Sequence, residues 1–551
     1  MRLSLRFAGA TSAALALALA GAGCGSSSPR SGPDPAKYVP ATATLYVGAV
    51  LRPEGALEQS AAGLARHLTG EADPYARLVR ALETPGSQTL SYHSDIEPWL
   101  GSDGGMFLTT AGRSGGALLA DLVRGLLGSA SPTTSHYPFS RAGAHGAILL
   151  DTRDASAAKR FLERQASAAG AHAAPYRGVQ VEETAAGLAF AQVDSLAVIG
   201  STSGVHEVID TARSAPSLHA SEQYESLADH APDGAVASAY RAGLAAPGSL
   251  PAPLGEVLEM TVGRPSAQLS VVPGESSLSL YADSSGSTEG LVSDAHRASE
   301  AFNALPGESW LALGLGAGPP AIDALLARAG SAIDLLTAGH GAAGLGIGSL
   351  LESLTRPLVL LARAPSAASW EGPVGLFASG ASALEVRAGL TIDSTSAARS
   401  RAALTAFGAA LRASGAHVAA THIAGTEAAF ALQLKGLPVE VAVAAGRGAE
   451  GTSKIVIGLG AESVQLALRP PSTMADAQSA HDARSSLGGL APTLLLDVPT
   501  FLAMLETIEV TNEPTVAAVE PYLKKLTRVV AGAGEIGGGI SRYRVLATLH
   551  N

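Results

Sequence analysis

Two stretches far apart in the chain read alike, and they constrain the fold more than anything else in the sequence. From Pro40 the chain reads PATATLYVGAVLRP, and from Pro306 it reads PGESWLALGLGAGP. Aligned without a gap, Pro40 meets Pro306, Leu45 meets Leu311, Gly48 meets Gly314 and Pro53 meets Pro319. Each stretch reads as a turn, an apolar strand, then a proline leading into an Ala/Leu-rich helix. Later segments keep the same order. A strand ending in Asp151 leads to a helix closing at Gly170-Ala171-His172, and a strand reaching Asp393 leads to one closing at Gly415-Ala416-His417. Short alternating strands follow, around Val179 to Gly200 and around Ala428 to Gly458. Each half then closes on a hairpin, Ser266 to Ala282 and Gly539 to His550.

The expected organisation is therefore two similar halves, 38–285 and 301–551, joined by a polar linker over 286–300. The helices are amphipathic: Val205, Val208, Ile209 and Ala212 form one apolar stripe, with Ser201, Thr202 or Ser203 placed to cap its start. Strands cluster in meanders more than they alternate with helices. That pattern predicts an α+β fold with largely antiparallel sheets and packed amphipathic helices.

The N-terminus sets an address. Arg2 and Arg6 precede an apolar run from Phe7 to Ala20, and Gly21, Ala22 and Gly23 lead to Cys24. A basic start, a short apolar stretch and a small-residue exit describe a secretory signal over 1–23. The run is too short for a permanent span, which needs about 20 apolar residues. Cys24 is the chain's single cysteine and stands where a lipoprotein signal places its acylated residue. The stretch resembles a lipobox, departing from it at Gly21, where Leu, Val or Ile is usual. Ordinary cleavage after Ala20 or Ala22 is the alternative, giving a secreted protein. Residues 24–37 are rich in Gly, Ser and Pro and read as a flexible tether. The expected location is extracytoplasmic, held at the cell membrane by a lipid such as palmitate on Cys24.

One cysteine leaves no intramolecular disulfide, so the fold rests on its apolar core, which 551 residues can supply. Hydrophobic residues are 47% and charged ones 15%, which argues against disorder over the body of the chain. A net charge of −11 argues against nucleic acid, which rewards clustered Lys and Arg. It argues equally against an electrostatic grip on anionic lipid, leaving the anchor as the membrane contact.

Local motifs of known chemistries are incomplete. Ser156 and Lys159 have Ser-x-x-Lys spacing, but the partner motifs of penicillin-recognising enzymes are absent, and the stretch reads as a helix start after Asp154. His417 and His422 are five apart, which suits neither a helix face nor a strand face for one metal. The glycine clusters lack the context of a dinucleotide or phosphate loop. No catalytic residue, metal or cofactor is expected. Polar groups gather in SDIEPWLGSDGG, where Asp95, Glu97, Trp99 and Asp103 offer acids beside an aromatic face, a place for a cationic ligand. The plainer reading is a short helix turned by Gly104-Gly105 into the next strand. The second half keeps a glutamate there, Glu352, but no Trp.

The YVPATATLYVGAVLRP opening, the SDIEPWLGSDGGMFL segment at Ser94 to Leu108 and the duplicated layout resemble a bacterial family, domain of unknown function three-three-five-two. The resemblance covers nearly the whole mature chain. It implies an extracytoplasmic, often anchored protein and brings no catalytic residues with it. The expected function is a non-enzymatic binding or envelope-assembly module. The alternatives are a solute-binding lipoprotein holding a ligand between two lobes, and an envelope hydrolase whose residues meet only in space. The protein or small molecule it engages cannot be read from these residues.

Overall fold

The computed structural model describes residues 34–69, 90–109, 145–243, 266–285, 294–316, 372–382, 385–394, 396–413, 415–433, 440–449, 451–507 and 520–550. The signal, Cys24 and Glu352 lie outside the described residues. The chain divides into two compact units. Among the described residues, the first holds those between 34 and 285 together with 535–542, and the second holds the rest. Both mix helices with antiparallel strands, the fold class expected.

The first unit opens with β1 (Leu45–Val50), α1 (Ala56–Thr69), β2 (Leu100–Leu108) and β3 (Gly146–Thr152). It continues through α2 (Ala155–Ala168), β4 (His172–Ala173), β5 (Val181–Glu183), β6 (Leu188–Val193) and β7 (Leu196–Ser201). Then come α3 (Thr202–Arg213), α4 (Glu222–Ala228), β8 (Ala237–Arg241), β9 (Ala267–Pro273) and β10 (Ser277–Ser285). Across the sheet the order is β10-β9-β8-β1-β2-β3-β7-β6-β5-β4, antiparallel throughout.

The second unit opens with α5 (Ala295–Asn303), β11 (Leu311–Leu315), β12 (Val374–Ser379), β13 (Arg387–Ser394) and α6 (Ala397–Ala413). It continues with β14 (Val418–Ala420), β15 (Thr426–Leu432), β16 (Val441–Arg447), β17 (Ser453–Leu459), α7 (Gly460–Leu468) and α8 (Gln478–Ser486). Last are β18 (Ala491–Asp497), α9 (Val498–Thr507), β19 (Leu526–Gly537) and β20 (Ile540–Leu549). Its antiparallel order is β19-β18-β11-β12-β13-β17-β16-β15-β14, with β20 pairing β19. Each strand stands where the strand numbered ten lower stands in the first unit.

Local sequence explains the elements. Asp154 caps α2 by accepting the Ala157 N–H at 2.9 Å, and Ala158, Phe161, Leu162 and Gln165 turn one buried face to the sheet. Gly170 and Gly415 follow the ends of α2 and α6 with φ of 70° and 86°, the left-handed value that closes a helix. Ser201 caps α3 through the Gly204 N–H at 3.0 Å. The first core gathers Phe107, Leu149, Val198 and Val205, and the second gathers Ile392, Phe407, Val443 and Ile455. Each fully buried side chain of this size contributes about 1.5–3 kcal/mol.

Several expectations need correction. The expected tether over 24–37 does not hold at its described end: Asp34 starts a 3-10 turn over Pro35–Lys37, with Pro35 and Ala36 buried, because an Asp-Pro pair is a helix start. The expected linker is helical from Ala295, where Asp294 accepts the Arg297 N–H at 3.0 Å. Gly104 and Gly105 form no turn but lie inside β2. The last hairpin opens at Leu526, earlier than Gly539, and residues 535–542 belong to the first unit. There Arg542 makes a two-pronged ion pair with Asp283, which is 0% exposed, with both N–O distances at 2.7 Å. Among the described residues no helix is long and apolar enough to cross a membrane.

Candidate functional site

The acids and the Trp of SDIEPWLGSDGG do not form one site. Asp95 is turned back on its own segment, accepting the Ser91 N–H at 2.9 Å, with Arg164 at 3.9 Å. Glu97 Oε2 lies 2.7 Å from His93 Nδ1, and this hydrogen bond holds its carboxyl below the usual range. Trp99 is core: 2% exposed, its ring 5.0 Å from that of Phe161 and its indole N–H given to the Asp95 carbonyl. A face so covered cannot receive a cation.

Asp103 goes elsewhere. It lies on β2 opposite Val50 of β1, 6% exposed, and accepts the Ser102 hydroxyl at 2.9 Å. With Asp34, Tyr46, Tyr224 and Gln268 it borders a narrow pocket of about 50 Å³ in the first unit. The strands make this space by what they omit. A Cβ on Gly105 would stand 2.8 Å from the Tyr46 ring and 3.1 Å from Pro35 Cβ, so glycine lets that ring lie down on the sheet. Tyr46 meets Tyr224 edge to face at 5.8 Å, and Tyr224 meets Tyr240 at 5.2 Å. Asp34 enters from the turn before β1, accepting the Ala36 N–H at 3.0 Å, with His219 Nδ1 at 3.2 Å. The Gln268 side chain is 2% exposed, and among the described residues it makes one hydrogen bond, to Ser270 Oγ at a long 3.4 Å.

Close by on the next strand stands Asp151, 6% exposed and accepting the Ser102 N–H at 3.1 Å. Burial pushes its carboxyl above the usual range, and the Asp103 charge pushes the same way, while backbone N–H groups oppose.

Two further places were invisible in the sequence. Ser203 Oγ, at the start of α3, lies 2.6 Å from His145 Nδ1 and 3.2 Å from the capping Ser201 hydroxyl. The two residues are 58 apart in the chain, so no spacing rule joins them. In the second unit a more open hollow of about 340 Å³ is bordered by Glu308, Trp310, Glu385, Arg387 and Thr500. Its cation is already engaged, since Arg387 lies 3.4 Å from Glu308 and 3.5 Å from Glu462. Ser156 and Lys159 sit in α2, with Lys159 at 3.9 Å from Glu163. Among the described residues no three His, Cys, Asp or Glu side chains gather to hold a metal.

The first unit thus joins an antiparallel sheet with helices to a small acidic pocket. The chain belongs to the family described as Protein of unknown function (DUF3352), whose model matches residues 7–312, from the leader through β10 and α5 to the start of β11, so the match covers little more than half of the chain and not nearly all of the mature part. No curated protein and no solved structure matches.

Proposed function

We propose that this is a lipid-anchored, extracytoplasmic, non-enzymatic binding module whose ligand enters the pocket of the first unit. The pocket carries the reading: it is concave, bordered by tyrosines and by buried polar side chains, and it stands in the part of the chain that the family model matches. The anchor rests on the Arg2-to-Cys24 leader, whose order of charge, apolar run and small residues is that of an acylated export signal.

The second unit is read as a duplicate of the first. Cross-strand Gly48–Gly105 and Gly314–Gly375 pairs fall at matching places, as do the Pro40–Ser217 and Pro306–Thr473 bridges. Together with the common strand order, these support one ancestral unit copied within the chain.

Two experiments test the proposal. Labelled palmitate should enter the parent chain in a bacterial host, and Cys24→Ala should release the protein from membranes. Equal membrane retention of both, with no label in the parent, contradicts the anchor. For the pocket, Ala231→Leu places bulk at its border. Small polar solutes that raise the unfolding temperature of the parent should fail to raise that of the variant. Equal responses place binding elsewhere.

A second reading, an envelope hydrolase, is favoured by Ser203 and His145 alone. A fluorophosphonate probe that labels Ser203 in the folded chain, and not after denaturation, would establish it in place of the first.

A further inference from the structure

Beyond the pocket of the first unit, we propose a second binding site: the hollow of the second unit receives a neutral sugar ring with several hydroxyls. Local structure builds it. Glu308 and Trp310 lie between Pro306 and β11, Arg387 opens β13, and Thr500 stands in the first turn of α9. Glu385 comes from the turn joining β12 to β13. A Cβ on Gly380, whose φ is 99°, would stand 2.3 Å from the Glu385 carbonyl oxygen, so glycine lets that turn close and brings Glu385 to the border. The space of about 340 Å³ falls at the small end of the roughly 300–1,000 Å³ of small-molecule sites.

The place has a counterpart. Leu45, Leu108 and Gly146 stand in one row across β1, β2 and β3, as Leu311, Ala378 and Ala388 do across β11, β12 and β13. Arg387 therefore occupies the position of His145, which reaches Ser203. Both units gather polar side chains at that end of the sheet, and in the second they border open space.

Charge selects against ions of either sign. Arg387 already lies 3.4 Å from Glu308 and 3.5 Å from Glu462, so it does not call for an anion. An anion would meet the carboxylates of Glu308 and Glu385, and a cation would meet the guanidinium. A neutral molecule meets neither penalty. Hydrogen bonding then selects hydroxyls. The carboxylates only accept and the guanidinium only donates, while a hydroxyl does both. Trp310 is half-buried, and its indole N–H has no hydrogen-bond partner among the described residues, a donor that an oxygen brought against the ring would satisfy. The indole also offers an apolar body on which the C–H face of a sugar can lie.

Fluorine NMR on the full chain, labelled with 5-fluorotryptophan at its three tryptophans, reads the hollow itself. Trp310→Phe identifies the Trp310 resonance by its loss. The probes are glucose, galactose, mannose and N-acetylglucosamine, with cyclohexanol, cadaverine and sodium acetate as ring, cation and anion controls. At least one sugar should move the Trp310 resonance saturably, and no control should. The same movement by its methyl glycoside marks the end of a glycan as an accepted source, and movement by the free sugar alone marks a monosaccharide; either supports the inference. Glu385→Gln should weaken the sugar by about tenfold, the worth of a hydrogen bond to a charged group, and Thr500→Val by about threefold. Undiminished binding in both variants overturns this border as the place. Ala231→Leu in the first unit should leave the response unchanged. A response lost in a folded Ala231→Leu chain assigns the sugar to the first pocket, which upholds that site and overturns this one. A control that moves the resonance as the sugars do overturns the sugar assignment. No movement of the Trp310 resonance with any of the four sugars overturns the inference outright and leaves the reading of the first pocket standing.

Discussion

The two units share a strand order and differ in what stands on it. Across three neighbouring strands the first unit reads Tyr46, Tyr240 and Gln268, while the matching register in the second reads Ala312, Leu495 and Val530. The element before the first strand differs too. The second unit has the nine-residue helix α5, and among the described residues the first has the three-residue turn Pro35–Lys37. A helix lowered onto Ala312 and Gly314 leaves an apolar, filled layer. A short turn beside Tyr46 leaves a polar gap. The difference teaches that one strand order can carry a filled apolar layer in one unit and a small polar pocket in the other, according to a few strand positions.

The largest expected effect lies at the matching glycines. A Cβ on Gly314 would stand 1.9 Å from the Ala298 carbonyl oxygen and 2.6 Å from Phe302 N, backbone that cannot step aside. The three atoms nearest a Cβ on Gly48 all belong to the Tyr46 side chain, the first at 3.1 Å. Gly314→Ala should therefore cost about 3 kcal/mol and Gly48→Ala less than about 1 kcal/mol. Chemical denaturation of the two variants reads the contrast. Equal costs would mean that the helix over Gly314 is not the distinguishing feature.

The ends of the matching strands β3 and β13 sharpen the comparison. Asp151 stands opposite Leu196, whereas Asp393 stands opposite Lys454, whose ammonium is 3.4 Å away and 9% exposed. Lys454→Met should cost about 1–2 kcal/mol, less than a fully buried pair because the Asp393 side chain is 29% exposed. Denaturation midpoints at neutral pH check the loss.

Asp151→Asn should act in the opposite direction. Its carboxyl is raised above its ordinary value of 3.8, so the folded chain holds the proton more tightly than the unfolded one. Stability contributed by the protonated form is full below the ordinary value and declines as pH rises through the raised one. The Asn variant, which keeps an acceptor for the Ser102 N–H, should melt higher than the parent at neutral pH. The gain should vanish on acidification below that ordinary value. A constant difference across pH would show that Asp151 does not titrate as a buried acid.

Much of the architecture was legible because it is periodic or punctuated. Asp154 and Gly170 bracket one helix, and the Leu45/Leu311 and Gly48/Gly314 matches fall on strands that occupy the same place in their sheets. Of the residues that border the pocket, the sequence pattern singled out Asp103 alone. The cluster that pointed to it dissolves, because Trp99 follows the apolar demand of the core against Phe161 while Asp95 and Glu97 bond within their own turn. Asp34, Tyr224 and Gln268 come from residues up to 234 apart, since Asp34 precedes β1 and Gln268 lies on β9. No local pattern encodes such a meeting. The misread Gly104-Gly105 shows the same limit: a glycine pair signals a turn by conformation, yet here β2 uses Gly105 for close approach to Tyr46.

The two units differ most where Asp34 and Asp103 border a pocket in the first, while in the second α5 lies on Gly314. A crystal structure of the full chain reads this difference directly. It should show two units of the same strand order, with open space beside Tyr46 bordered by Asp34 and Asp103, and with α5 seated on Gly314. A helix filling the space beside Tyr46, or α5 lifted off Gly314, would contradict it.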